Sequence, residues 1–168
     1  MVMFARMPAP SPDTDLREKV LDASIALIEE KGLTEFSLRE VARRAGVSHQ
    51  APYHYFADRE AILAALCERG FEMLFERVSK ARAAGESAAD RFERAAMAYV
   101  TFAVERPAHF RMMFRPELVD HTKHRCLEES ANRAFELLPA MVTDCVAEGL
   151  PPEPSIEALV ATTWTSSR

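Results

Sequence analysis

From Leu16 to Lys31 apolar side chains return every three or four positions. Leu16, Val20, Ala23 and Leu27 form the stripe, widened by Leu21 and Ile28, which is the pattern of a helix with one face turned inward. Asp15 is placed to cap it, with Glu18 three residues on as the second half of a capping box, and Gly32 offers a left-handed stop. The next apolar period runs from Leu38 to Ala45. Ser37 is its N-cap and Glu40 the residue at N3, while Phe36 before the cap and Val41 after it form a hydrophobic staple. Gly46 then sets a sharp turn, with Val47 plugging the corner. A third, short helix is expected from a cap at Ser48 to Phe56. Pro52 falls near its fourth position, where it removes at most one helical hydrogen bond.

Asp58 caps a longer period that extends to Ala83, roughly 40 Å at 1.5 Å per residue. Gly70 lies inside it and costs about 1 kcal/mol relative to Ala, a choice that close packing or a hinge would account for. Beyond Gly85 the periodicity predicts helices over Ala88 to Glu105, Ala108 to Phe114, Val119 to Glu148 and Ser155 to Thr165. Pro107 and Pro116 punctuate them, Pro139 is expected to kink or break the long one, and Pro151, Pro152 and Pro154 mark a loop. Alternating β-branched strands are absent. The expected fold is therefore all-α. An extended, disordered tail is expected over 1–13, carrying Pro8, Pro10 and Pro12. A three-helix head follows over 14–60, and a helical body over 61–168.

Composition narrows the class. In 168 residues, 48% are hydrophobic and 28% charged, too apolar for a disordered chain. The longest nearly unbroken apolar run, Ala95 to Val104, falls well short of the about 20 residues that a membrane span needs. Cys67, Cys126 and Cys145 are odd in number and form no CxxC pair, so they read as reduced, partly buried thiols of a cytoplasmic protein. The net charge of −5 argues against indiscriminate nucleic-acid binding, but its distribution is uneven. Between Ser37 and Arg59 stand four arginines (Arg39, Arg43, Arg44 and Arg59) against Glu40 and Asp58, a local +2, so the rest of the chain carries −7. One short basic face sits on an acidic body.

A capped helix, a glycine turn and a second short helix form a helix-turn-helix. In that motif the first helix crosses the DNA backbone, and the second lies in the major groove with its N-terminal side chains at the base edges. Ser48, His49, Gln50, Tyr53 and His54 are thus candidates for contact. Gln50 is suited to adenine, and the Tyr and Ser hydroxyls and the Arg39 and Arg59 guanidiniums are suited to phosphates. On pattern alone, a plain helical hairpin fits these residues equally well.

The stretches V-L-D-A-S-I-A-L-I-E-E-K-G and F-S-L-R-E-V-A-R-R-A-G-V-S-H-Q-A-P-Y-H-Y-F-A-D-R-E-A-I-L, from Val20 to Leu63, resemble the N-terminal domain of the TetR/AcrR regulators in helix order, spacing, turn and the closing Y-x-x-F. The resemblance implies a transcriptional regulator and not an enzyme. It implies a repressor that binds a palindromic double-stranded operator as a homodimer and is released by a small apolar effector. It also implies DNA contacts at Ser37, Arg39, Ser48, His49, Gln50, Tyr53 and Arg59. The family often carries Gly or Ala where Gln50 stands, and a larger apolar residue where Pro52 stands. Farther on, P-A-H-F-R-M-M-F resembles part of one subgroup's effector domain. That subgroup continues beyond a Trp, here Trp164, into a further apolar helix, whereas this sequence reads T-S-S-R. The resemblance therefore implies a weakened dimer.

Other residues have two readings at this stage. Phe71, Leu74, Phe75, Val78, Met97, Phe102, Met112, Met113, Phe114, Phe135 and Met141 either line an apolar effector pocket or are ordinary core. Asp120, His121, His124 and Cys126 hold metal-ligand chemistry at close spacing, with both histidines expected on one helix face, yet no second cluster completes a four-ligand site. They read as a solvated surface. His109 reads as a packed or capping residue. No nucleophile motif, phosphate loop or paired carboxylates stand out, and no cofactor is expected. Two alternatives remain: a helical ligand carrier or small enzyme without a DNA role, and a regulator that folds but does not dimerise.

Overall fold

Residues 12–149 are described in a computed structural model, and among them every regular element is helical. There are six α-helices: α1 Pro12–Lys31, α2 Leu38–Ala45, α3 Arg59–Ala83, α4 Ala88–Glu105, α5 Pro107–Met113 and α6 Arg125–Ala147, joined in places by short 3-10 turns. The chain divides into two compact units between Ile62 and Leu63, within the first turn of α3. The expected helix at 155–165 and proline loop at 151–154 lie outside the described residues, as does most of the expected N-terminal tail.

In the first unit α1 packs against α2. α1 starts at Pro12, inside the expected tail, with proline at the position where a missing N–H costs nothing. Asp15 is therefore not the cap. It sits in the first turns, and its carboxylate accepts from Lys19 Nζ at 2.6 Å. The inward stripe is Val20, Leu21, Ser24, Leu27 and Ile28, whereas Leu16 and Ala23 are only half-buried. Buried Ser24 satisfies its hydroxyl by donating to Val20 O at 2.7 Å. Gly32 closes the helix at φ 77°, donating to Ile28 O at 2.9 Å.

α2 has the expected bounds. Ser37 Oγ accepts from Glu40 N at 3.3 Å, and Phe36 and Val41 on either side of the cap are both buried. At the other end Gly46 is left-handed, at φ 68°. Val47 N donates to Ala42 O at 3.1 Å, the six-to-one bond of a Schellman closure. Val47 is only half-buried, so the corner is not sealed by it alone.

The second unit is built from the rest of α3 and from α4, α5 and α6. The turn between α3 and α4 needs Gly85, since a Cβ there would meet the Arg91 backbone at 2.7 Å. Gly70 has a packing role too. A Cβ on it would lie 2.6 Å from Met113 Sδ and 3.4 Å from His109 Cβ, so α5 crosses α3 where the side chain is missing. Phe71, fully buried, is the hub of an aromatic cluster, with Phe135 at 5.5 Å, Phe114 at 6.0 Å and His121 at 6.3 Å between ring centroids, all edge-on.

Two expectations fail in this unit. The last helix begins at Arg125, not Val119. Asp120 caps a separate 3-10 turn, His121–Lys123, accepting from Thr122 N at 3.1 Å and Thr122 Oγ1 at 2.6 Å, a local side-chain bond that competes with the helix. His121 and His124 therefore do not share a helix face. Pro139 lies inside α6 without ending it. One backbone bond is lost there, while Met141 and Cys145 beyond it stay buried and hold the last turns in place.

Candidate nucleic-acid interface

The eight candidate DNA-contact residues all lie in the first unit, and all are exposed: Ser37, Arg39, Ser48, His49, Gln50, Tyr53, His54 and Arg59. Their exposure follows from what is buried between them. Ala51, Pro52 and Phe56 turn inward, so the polar residues of the same short segment are turned out. Tyr53 is 45% exposed and its ring lies 6.1 Å from that of His49.

The segment that carries them is not the α-helix expected from Ser48 to Phe56. Only Ala51–His54 is helical, and it is a 3-10 turn. Pro52 is the cause. In an α-helix its N–H would bond Ser48 O, and proline has none. Instead Ala51 N donates to Ser48 O at 3.0 Å and Tyr53 N to Gln50 O at 3.1 Å, both three residues back. Four-residue spacing returns only at Phe56, whose N–H reaches Pro52 O at 3.0 Å. Ser48 gives its backbone carbonyl and not its side chain, and the turn has no side-chain cap.

The charge of this face is more focused than the sequence count suggests. Glu40 does not close the capping box back onto Ser37. Its carboxylate takes two bonds from Arg43, at 2.7 and 2.9 Å, and stands 3.7 Å from Arg44 and 4.0 Å from Lys31. Arg43's hydrogen bond is the main reason that the Glu40 carboxyl is held down at about 2. Arg44 also pairs with Glu30 of α1, whose carboxyl is likewise lowered. Arg43 and Arg44 are thus matched by acids. Arg39 has no ion-pair partner among the described residues, and Arg59 is bound to groups without net charge: it donates to Leu33 O at 2.9 Å and lies 5.5 Å over the Phe36 ring. The surplus positive charge rests on Arg39 and Arg59. Between α2 and the following turn opens a depression of about 430 Å³, lined by Ser37, Arg39, Glu40, Ala42, Arg43, Val47 and His49. Sequence reasoning counted Arg43 as part of the basic face. Its spacing to Glu40, three residues apart on one helix, was the available sign that the two would pair.

The candidate effector residues of the second unit divide. Phe71, Leu74, Phe102, Met112, Met113 and Met141 are buried, as is Val78. Phe75, Phe114 and Phe135 are half-buried, with Arg133 placed 5.5 Å over Phe75. Met97 is 60% exposed and is not part of that interior. Cys67 is buried, which pushes its thiol up to about 12. Among the described residues no cluster of three or more His, Cys, Asp or Glu is arranged to hold a metal, and no helix is long and apolar enough to cross a membrane.

Comparison with known proteins matches this architecture in both units. Residues 20–66 match the profile of the bacterial regulatory proteins of the tetR family, and residues 92–167 match a tetracyclin repressor-like C-terminal domain. Over 59 residues, 35% of this chain, the sequence is 36% identical to the HTH-type transcriptional regulator BetI of Serratia proteamaculans (strain 568). That match spans 30% of the curated relative's length. A protein of unknown function from Rhodococcus sp. RHA1 shares the fold with a TM-score of 0.73 and 30% identity, over 94% of this chain and 81% of that one. The TetR family regulator PfmR from Thermus thermophilus superposes with a TM-score of 0.71 at 21% identity, over 87% of this chain and 80% of its own. With a family match in each unit and the helix-turn-helix in place, the chain belongs to the TetR family, whose members are DNA-binding transcription regulators and not enzymes.

Proposed function

We propose that this chain acts as a repressor, holding a two-fold symmetric operator as a homodimer and releasing it when a small apolar molecule enters the second unit. The observation that carries the reading is the sorting of the 48–56 segment. Its apolar residues anchor it inward, while Ser48, His49, Gln50, Tyr53 and His54 face out beside Arg39, whose charge is uncompensated. In the major groove Gln50 is suited to the N6/N7 edge of adenine, and Ser37, Tyr53, Arg39 and Arg59 to phosphates on either side. The depression along α2 is lined by two of these, Ser37 and Arg39.

Two heads of a dimer read successive major grooves when they stand about 34 Å apart. A ligand that favours another separation weakens the complex by no more than its differential affinity for the two arrangements. The Phe71 cluster, with Phe114 and Phe135 around it, supports an apolar or aromatic effector. Selection of bound fragments from a random DNA pool tests the reading. A recovered site with two-fold symmetry and half-sites one helical turn apart is expected. Recovery of no preferred sequence would overturn it.

A further inference from the structure

α4 carries an apolar stripe that nothing among the described residues covers. Met97, Val100 and Val104 are 60%, 54% and 74% exposed. They stand at i, i+3 and i+7, on one side of the helix, whereas Ala88, Ala95 and Phe102 are the buried residues of the same helix. Beside the stripe Thr101 turns its hydroxyl back to Met97 O at 2.7 Å, so its polar group is already satisfied. A continuous apolar stripe of this kind marks a contact surface.

We propose that this stripe seats residues 155–165 of the same chain, laid along α4 as a helix. The first support is the place where the chain leaves α6. Glu148 is tied to the first turn of α4: its carboxylate accepts from Ala88 N at 2.6 Å and from Arg91 at 2.7 Å. The residues that follow therefore set out from the N-terminal end of α4.

The second support is length. Leu150 to Pro154, three prolines among five residues, span about 17 Å when extended. The axial distance from Ala88 to Met97 is about 13 Å, so the linker reaches the beginning of the stripe. From there Ile156, Leu159, Val160 and Trp164 repeat at helical spacing over about 12 Å, against about 10 Å from Met97 to Val104. The two stripes match in length and run parallel.

The third support is area. Three side chains fall far short of the about 800 Å² per partner that a stable dimer buries, but they suit one short helix.

Trp164 is the single tryptophan of the chain, so its fluorescence reports on this seat directly in the full-length protein. In the wild type its emission is expected to be blue-shifted and its quenching by acrylamide severalfold weaker than that of free tryptophan, unchanged on dilution. Val100→Glu and Val104→Glu should each shift the emission to the red and restore quenching, with helical content by circular dichroism retained. Val146→Glu, at another exposed apolar position, should do neither. A Trp164 exposed in the wild type would overturn the proposal. So would shielding indifferent to both glutamates, which places the segment elsewhere, or shielding that fades on dilution, which assigns the stripe to a second copy.

Discussion

Arg39→Ala and Arg43→Ala remove the same charge from the same helix, yet the structure gives them different consequences. Arg43 is already neutralised by the two bonds it gives Glu40, whereas Arg39 is exposed and without an ion-pair partner among the described residues. If Arg39 neutralises one DNA phosphate, its removal lowers the slope of log K against log salt by about 0.9. Between 50 and 200 mM salt that difference multiplies to about 3.5-fold, so the deficit of Arg39→Ala should be about 3.5 times larger at the lower salt. Arg43→Ala should change the slope by less, because the charge it removes is largely spent within the protein. The assay is a fluorescence anisotropy titration of each variant on the selected DNA site across a salt series, with a scrambled duplex alongside. Arg39→Ala should weaken both duplexes about equally, since a phosphate contact carries no sequence information. Equal slopes for the two variants would refute the charge assignment. A changed base preference with an unchanged slope would refute the phosphate role of Arg39.

Tyr53→Ala should weaken DNA binding while leaving stability within about 0.5 kcal/mol of wild type in thermal melts, as expected for an exposed side chain away from core and caps; unaltered affinity would remove Tyr53 from the interface. The Glu40 carboxyl is held at about 2, against an ordinary 4.5, chiefly by the Arg43 hydrogen bond. A depressed carboxyl stabilises the fold above its unfolded value, and that contribution is lost as pH falls from about 4.5 towards 2. Thermal melts of wild type and Glu40→Gln should therefore converge over that interval, and parallel curves would show that the pair contributes nothing. Gly70→Ala gains about 1 kcal/mol of helix propensity but sets a methyl 2.6 Å from buried Met113 Sδ, an overpacking cost of about 1–3 kcal/mol. A net loss in urea melts is expected, smaller when Met113→Ala is already present, and a stabilised single mutant would refute the contact.

The helical class, the bounds of α2 and α4, and the cap of α3 were legible because each rests on a local signal that no distant residue contests. Ser37 and Gly46 close α2 within a few residues of themselves, and Asp58 accepts from Ala61 N at 2.8 Å at the head of α3. Elsewhere one side chain had two local uses and the sequence did not choose between them. Asp15 suits a cap, but with Pro12 starting the helix it became the partner of Lys19. Glu40 suits the return half of a capping box, but Arg43 and Arg44 lie on its own helix and take the carboxylate. Asp120 suits a mid-helix surface position, but its bonds to Thr122 stop the helix from beginning before Arg125. Met97 belonged to no visible class, because apolar spacing marks a helix face without saying what that face meets. The packing reason for Gly70 lay more than forty positions away, at Met113, beyond any local pattern.

The same limit bears on how bases are read. All eight interface candidates were placed by counting along an α-helix, and all eight are exposed, yet the element that holds the central ones is a 3-10 turn. At three residues per turn, side chains at i and i+3 eclipse one another, so Gln50 and Tyr53 fall in one column where α-helical spacing would set them apart. His49 meets the Tyr53 ring from four positions back. The residues that reach a base edge are thus concentrated on one short ridge, fixed from beneath by Ala51, Pro52 and Phe56. Pro52 both shortens the element and restricts it: fixing φ lowers the entropy of the unfolded segment and leaves fewer conformations to be lost when DNA binds. A short reader held this way depends for its affinity on phosphate contacts outside itself. Arg39 precedes the turn and Arg59 follows it, and these two carry the charge that the ion pairs of α2 leave over.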